Sequence, residues 1–101
     1  MGSRSTGRKI AMQLLYQAEL RNKTLEEVTE TIKADTSYPI ATREFAITLA
    51  KNTWKARKKL DQSIDTLAID WDIDRISIVD KNILRLAIYE LKESQTPQNV
   101  I

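Results

Sequence analysis

Arg75-Ile-Ser-Ile-Val-Asp-Lys-Asn-Ile-Leu-Arg-Leu-Ala-Ile-Tyr-Glu-Leu91 is the most apolar stretch of the chain, and its reading decides the fold. It has a clear start. Ser77 is followed three residues later by Asp80, a capping-box-like pattern whose hydroxyl and carboxylate can bond free helix N–H groups. On a helical wheel Ile76, Val79, Ile83, Leu84, Leu86, Ala87, Ile88 and Leu91 cover well over half the circumference. Only a narrow stripe stays polar: Lys81, Arg85, Tyr89 and Lys92. A helix this apolar cannot lie alone on a surface; it needs other helices around it.

The totals agree with a helical domain. The 101 residues suffice for one domain with a modest core. Two Gly and two Pro are too few for a turn-rich β fold. Zero Cys and zero His remove disulfides, thiol chemistry, imidazole bases and most transition-metal sites. The apolar runs are too short to cross a membrane, and no secretory leader opens the chain, so a cytoplasmic setting is expected.

Outward from the apolar helix, the rest of the chain also carries a helical period. Residues 1–23 hold Arg4, Arg8, Lys9, Arg21 and Lys23 against a single acid, Glu19. Residues 1–5 read as a flexible basic arm. From Thr6 or Gly7 a helix begins, with Ile10, Ala11, Leu14, Leu15 and Ala18 on one face and Lys9, Met12, Gln13 and Tyr16 opposite. Asn22-Lys23 ends it. Thr24-Leu-Glu-Glu27 is a second capping box and opens a helix with a narrow stripe of Leu25, Val28 and Ile32. Residues 35–41 read as a loop, with Tyr38 extended by Pro39. From Thr42 there is no Gly or Pro before Pro97. Phe45, Leu49, Ala56, Leu60, Ile64 and Leu67 keep helical phase, which predicts one long helix or two with a bend, the bend or end falling near residues 68–74. The expected class is all-α: a compact bundle of four to five helices in a single domain spanning residues 1–101.

Four constellations invite a functional reading. Asp70, Asp72 and Asp74 suggest a calcium loop, but the sixth and twelfth positions are Arg75 and Lys81, where an EF-hand needs Gly and Glu. Glu90 falls within the apolar arc of the central helix, and a carboxylate there is expected to meet an arginine or a helix N-terminus. On the first helix, Lys9, Gln13 and Tyr16 share a face, with Arg8 adjacent and Arg4 preceding. Cations for phosphates, a ring to stack on a base and an amide to read a base edge suit single-stranded RNA; a solvated basic face with Tyr16 covered by another helix explains the same residues. Lys51, Lys55 and Lys58 form a second basic stripe, read as a solvated face, beside Ile47 and Trp54, which suit packing against another helix or a partner. No nucleophile–base pair or glycine-rich phosphate loop appears.

Two segments together resemble the NusB family of transcription antitermination factors. Gly7-Arg-Lys-Ile-Ala-Met-Gln-Leu-Leu-Tyr-Gln17 resembles its arginine-rich opening and Ala-x-Gln-x-Leu-Tyr core. Asp80-Lys-Asn-Ile-Leu-Arg-Leu-Ala-Ile-Tyr-Glu-Leu91 is similar to its most distinctive helix, and Thr96-Pro-Gln-Asn-Val-Ile101 to the lead-in to its last helices. The resemblance makes Arg75–Leu91 the hub of a NusB-type bundle. It implies a cytoplasmic, non-enzymatic factor without cofactor that binds boxA-type single-stranded RNA together with the small-subunit ribosomal protein NusE, in an antitermination complex on RNA polymerase. It implies RNA contacts at Arg4, Arg8 and Tyr16, with Lys9 and Gln13 on the same helix face. Asp80 falls at an acidic position on the ribosomal-protein side, and the stripe carrying Lys81 and Arg85 is what remains for solvent or that partner. Two features depart from the family pattern. Ser3, Ser5, Thr6 and Gly7 thin the arginine cluster, which predicts a shallower salt dependence. The chain also stops at Ile101, where family members continue into further helices, so the expectation is either a fragment or a chain in which self-association through the uncovered face replaces the missing helix. Two alternatives stay open: an RNA-binding domain of an RNA cytosine methyltransferase, and a helical adaptor that binds only protein.

Overall fold

The computed structural model describes residues 2–67 and 76–94, and they form five α-helices: α1 (Gly2–Arg21), α2 (Leu25–Ala34), α3 (Ile40–Lys55), α4 (Arg57–Leu67) and α5 (Ile78–Ser94). The expected all-α class holds. The Asp70, Asp72 and Asp74 series and the bend expected near residues 68–74 lie outside the described residues.

The organising element is α1 rather than α5. Its apolar face sinks Ile10, Ala11, Leu14, Leu15 and Ala18 into the core, where they meet Leu25 and Val28 of α2 and Ala46, Leu49 and Ala50 of α3. Its widest contact is with α3, followed by α5. The small residues Ala11, Ala46 and Ala50, all fully buried, let the two backbones approach. Gly7 does the same one turn earlier: a Cβ at that position would run into the ring of Phe45. α1 begins at Gly2, ahead of the expected start at Thr6 or Gly7, so residues 2–5 are its first turn in place of an arm. It ends at Asn22, whose φ of 54° is the left-handed value that lets the Lys23 N–H reach back to the Ala18 carbonyl at 3.0 Å.

Both expected caps are present. The Thr24 hydroxyl accepts from the Glu27 N–H, and the Glu27 carboxylate accepts from the Thr24 N–H, closing the capping box of α2. Ser77 Oγ accepts from the Asp80 N–H at 3.1 Å at the start of α5. Arg43 ties α2 and the following loop to α3 by donating to the carbonyls of Lys33 and Tyr38.

The long helical run breaks at Ala56, with no Gly or Pro to mark it. Ala56 takes φ −92° and ψ 6°, off the helical value. Arg57 Nη1 donates to the Trp54 carbonyl at 2.7 Å, and its guanidinium lies 4.1 Å from the Trp54 ring centroid. One side chain therefore satisfies a carbonyl at the bend and covers the indole beside it. Trp54 and Ile47 pack partly buried against the core, as their place off the main apolar face suggested.

The largest correction concerns α5. From its polar stripe Arg85 turns inward, and Lys81 and Tyr89 partly, while Lys92 stays exposed; much of its apolar arc turns out. Arg85 is 4% exposed and Asn82 fully buried, whereas Ile83 is 46% and Leu91 59% exposed, with Val79 and Ala87 also exposed. Leu86 is the residue of α5 that joins the apolar core. The reason is charge: Lys81 and Arg85 find their counter-ions on α1 and α4.

Candidate nucleic-acid interface

The charged residues of α5 form a lock between three helices. Arg85 donates its Nε and Nη2 to the two carboxylate oxygens of Asp61 on α4, both at 2.7 Å. Its Nη1 donates to Glu19 of α1 at 2.9 Å and to the Asn82 amide oxygen at 3.0 Å. Asn82 in turn donates to Glu19, and the Lys81 ammonium sits 2.7 Å from the other Glu19 oxygen. Burial by itself pushes the Glu19 carboxyl up. The Lys81 hydrogen bond, the Arg85 charge and the Asn82 hydrogen bond outweigh it and hold the group below its ordinary range. Burial would likewise lower Arg85, and Asp61 and Glu19 more than offset it, so the guanidinium stays cationic. Lys81 and Arg85, expected on a partner-facing stripe, are instead spent inside the bundle. Asp80 stays exposed in the first turn of α5.

The five residues expected to hold RNA divide between two neighbouring surfaces. Lys9, Gln13 and Tyr16 line the outer face of α1 at i, i+4, i+7. Lys9 and Gln13 are exposed and Tyr16 is half-buried, with exposed Leu20 continuing the row. Arg4 and Arg8 lie around the helix, on the flank towards α3 and α5. The Arg4 guanidinium stands 5.3 Å from the Phe45 ring centroid. Arg8 Nε is shared between the Glu90 carboxylate oxygens at 2.9 and 3.0 Å. Glu90 thus meets an arginine, one of the two partners expected for it, although the pair lies half exposed rather than within a buried arc. Such a pair contributes no more than about 1 kcal/mol, so an incoming phosphate can displace Glu90 at small cost.

Between this flank and α3 runs an open groove of about 990 Å³, lined by Arg4, Arg8, Phe45, Tyr89 and Glu90 among others. The Tyr89 hydroxyl bonds Asn52; burial, then the charge of Glu93, push the phenol up, so it stays protonated. No cluster of acidic residues able to hold a metal ion occurs among the described residues. None of their helices is long and apolar enough to cross a membrane. Sequence reasoning missed Glu19 and Asp61 as the anchors of the lock. Glu19 had a signal, being the one acid in a basic stretch of 23 residues; Asp61 had none.

The fold and this surface define a small all-α protein whose first helix presents a cationic and aromatic row to the outside. The chain belongs to the NusB family, whose profile matches residues 5–101. Among its relatives, the transcription antitermination protein NusB of Thermobifida fusca is 42% identical over 90 residues, covering 89% of this chain and 62% of that protein. NusB of Myxococcus xanthus is 38% identical over 97 residues, covering 91% and 69%. NusB of Oceanobacillus iheyensis is 35% identical over 99 residues, covering 97% and 75%. The chain therefore spans between 62% and 75% of the length of these relatives. A chain in the crystal structure of a plectonemic RNA supercoil superposes with a TM-score of 0.83 at 26% identity, over 98% of this chain and 72% of that one.

Proposed function

We propose that this protein is a NusB-type antitermination factor that holds boxA-type single-stranded RNA on the outer face of α1. In this reading it acts by binding, not catalysis, jointly with the ribosomal protein NusE, in a complex that keeps RNA polymerase transcribing ribosomal RNA. The observation that carries this reading is the Lys9–Gln13–Tyr16 row, with exposed Lys9 and Gln13, on a chain of the NusB family. Lys9 and Arg4 supply charge for phosphates, Gln13 reads a base edge and the Tyr16 ring offers a stacking platform. Arg8 joins them when it leaves Glu90. Asp80, exposed beside the lock, is available to the protein partner. The exposed row of Val79, Ile83 and Leu91 supports self-association, which sedimentation over a concentration series tests; a monomer throughout refutes it.

The experiment for RNA is a titration of a boxA-type oligonucleotide, with and without NusE, at two salt concentrations. Three cations on single-stranded RNA give a slope of log K against log salt near −2, or about 20-fold weaker binding over a fourfold rise in salt. NusE should tighten binding. Salt-independent affinity, or affinity untouched by Tyr16→Ala and Lys9→Gln together, refutes the site. A protein-only adaptor shows no RNA binding at either salt.

A further inference from the structure

The basic stripe at the end of α3 has no part in the α1 surface, and the bend at Ala56 gives it a shape. Residues 51–59, Lys-Asn-Thr-Trp-Lys-Ala-Arg-Lys-Lys, hold five cations and no acid. Arg57 is accounted for by its stack on Trp54. Lys55, Lys58 and Lys59 gather around one hollow of about 430 Å³ whose remaining wall is Asn52, Ala56 and Tyr89. All three lysines are exposed, and none makes an ion pair among the described residues, in contrast to Lys33, Lys81, Arg8 and Arg85. No ion pair or hydrogen bond among the described residues uses their ammonium groups. α4 opens on Arg57-Lys58-Lys59 with no acid in its first turn, which mutual repulsion and the helix dipole both disfavour.

The hollow adjoins the large groove. Asn52 and Tyr89 line both, and the groove holds Arg4 and Arg8. The groove also carries Glu44, Glu90 and Glu93, whose carboxylates repel phosphates and can accept from base amino groups, Glu90 once Arg8 has left it. The rings of Phe45 and Tyr89 line the same groove. The trough thus holds Arg4 over Phe45 and the Arg8–Glu90 pair in the groove, Lys55, Lys58 and Lys59 around the hollow, and Asn52 and Tyr89 where the two meet. Two separated groups of cations with the Phe45 and Tyr89 rings beside them suit a strand held by its backbone at two points.

We propose that the α3–α4 elbow, through Lys55, Lys58 and Lys59, is a second contact for the phosphate backbone of single-stranded RNA that enters the trough at Arg4 and Arg8. This rests on the RNA-binding reading of α1 and extends its footprint. Phe45 and Lys55 are about 15 Å apart along α3 at the helical rise, so only an RNA reaching several nucleotides beyond the α1 site engages the elbow.

The test compares the protein with its Lys55→Gln/Lys58→Gln/Lys59→Gln variant, using a short boxA-type core RNA and the same core extended by about eight nucleotides at each end, a reach well beyond that span. Affinity is read by fluorescence anisotropy at several salt concentrations, and helicity by circular dichroism. For the extended RNA the variant should lose about 2 from the salt slope, the share of three cations, and bind about tenfold weaker at low salt. For the core RNA the two proteins should agree. An unchanged slope on the extended RNA overturns the elbow while leaving the α1 reading intact, and an elbow that serves a protein partner gives that same result. A wild type that binds neither RNA overturns both.

Discussion

Removing the Arg85 guanidinium tests the lock that orients α5. In Arg85→Ala, Asp61 loses both of its 2.7 Å bonds, and Glu19 keeps Lys81 and Asn82 but loses a cation. Breaking a buried ion pair from one side costs about 3–5 kcal/mol, because the partner is left desolvated and uncompensated. Here the two acids are 22% and 29% exposed, so water reaches them and the lower end applies, about 3 kcal/mol. A domain of this size has only about 5–15 kcal/mol in total, so the melting temperature should fall by roughly 15 °C. Arg85→Lys keeps the charge but not the two-pronged bond to Asp61, and should cost about half as much. Acid supplies an independent check. The folded Glu19 carboxyl is held below its ordinary 4.5, so the folded state binds fewer protons than the unfolded one. Its stabilisation is complete above that value and is lost as the pH falls through the lower, folded one. Arg85→Ala removes part of the cause, so wild type and variant should converge between about pH 5 and pH 3. Urea denaturation followed by circular dichroism measures both effects. A loss below about 1 kcal/mol at neutral pH, or a gap that stays constant on acidification, would refute the lock.

Other perturbations give smaller, separable outcomes. Thr53 is fully buried and its Oγ1 has no hydrogen-bond partner among the described residues, so Thr53→Val should raise stability by about 1 kcal/mol in urea titrations; a loss would reveal an unseen partner for the hydroxyl. Gly7→Ala gains about 1 kcal/mol of helix propensity but drives a methyl into the Phe45 ring, so a net loss of about 1 kcal/mol is expected; a full gain would show that the ring yields freely. Thr24→Ala removes the capping box of α2 and should cost about 1 kcal/mol, read by thermal melting. Tyr16→Ala should weaken binding of boxA-type RNA at least tenfold, from the loss of about 1–3 kcal/mol of stacking, while the melting temperature stays nearly constant; unchanged affinity removes Tyr16 from the site.

Features that depend on one helix and its own period were legible. The buried face of α1, the Thr24 and Ser77 caps and the extent of α2 follow from residues three and four apart. An arginine was among the partners expected for Glu90, but which arginine was not legible, nor that the pair would lie half exposed. The direction in which α5 faces was not legible. A wheel separates its polar stripe from its apolar arc, but which side is buried depends on what the neighbouring helices offer. Glu19 and Asp61 lie 66 and 24 residues from Arg85 along the chain, and nothing local announces either contact. The break at Ala56 was hidden for a related reason. It is stabilised by Arg57 bonding the Trp54 carbonyl and stacking on its ring, where a sequence reading looks for Gly or Pro.

The inverted orientation of α5 bears directly on the candidate site. Because Arg85 and Lys81 are bound to α1 and α4, the rotation of α5 about its axis is fixed by ion pairs and by Leu86. Turned this way, the helix brings Glu90 against Arg8 and Tyr89 against Asn52, so one wall of the trough is set by charges a full turn or more away. The same rotation leaves Val79, Ile83 and Leu91 outward. A buried lock of this kind contributes geometry more than net stability, since burying the charges costs about as much as pairing them returns. Glu19, the lone acid in the first 23 residues, is therefore as consequential for this surface as the cations around it. Its replacement should alter RNA binding by releasing α5, even though Glu19 lies off the outer face of α1 and its carboxylate repels phosphate. Glu19→Gln should accordingly weaken RNA binding and lower stability together. A charge effect alone would strengthen binding instead, so the sign of the change in affinity decides between the two.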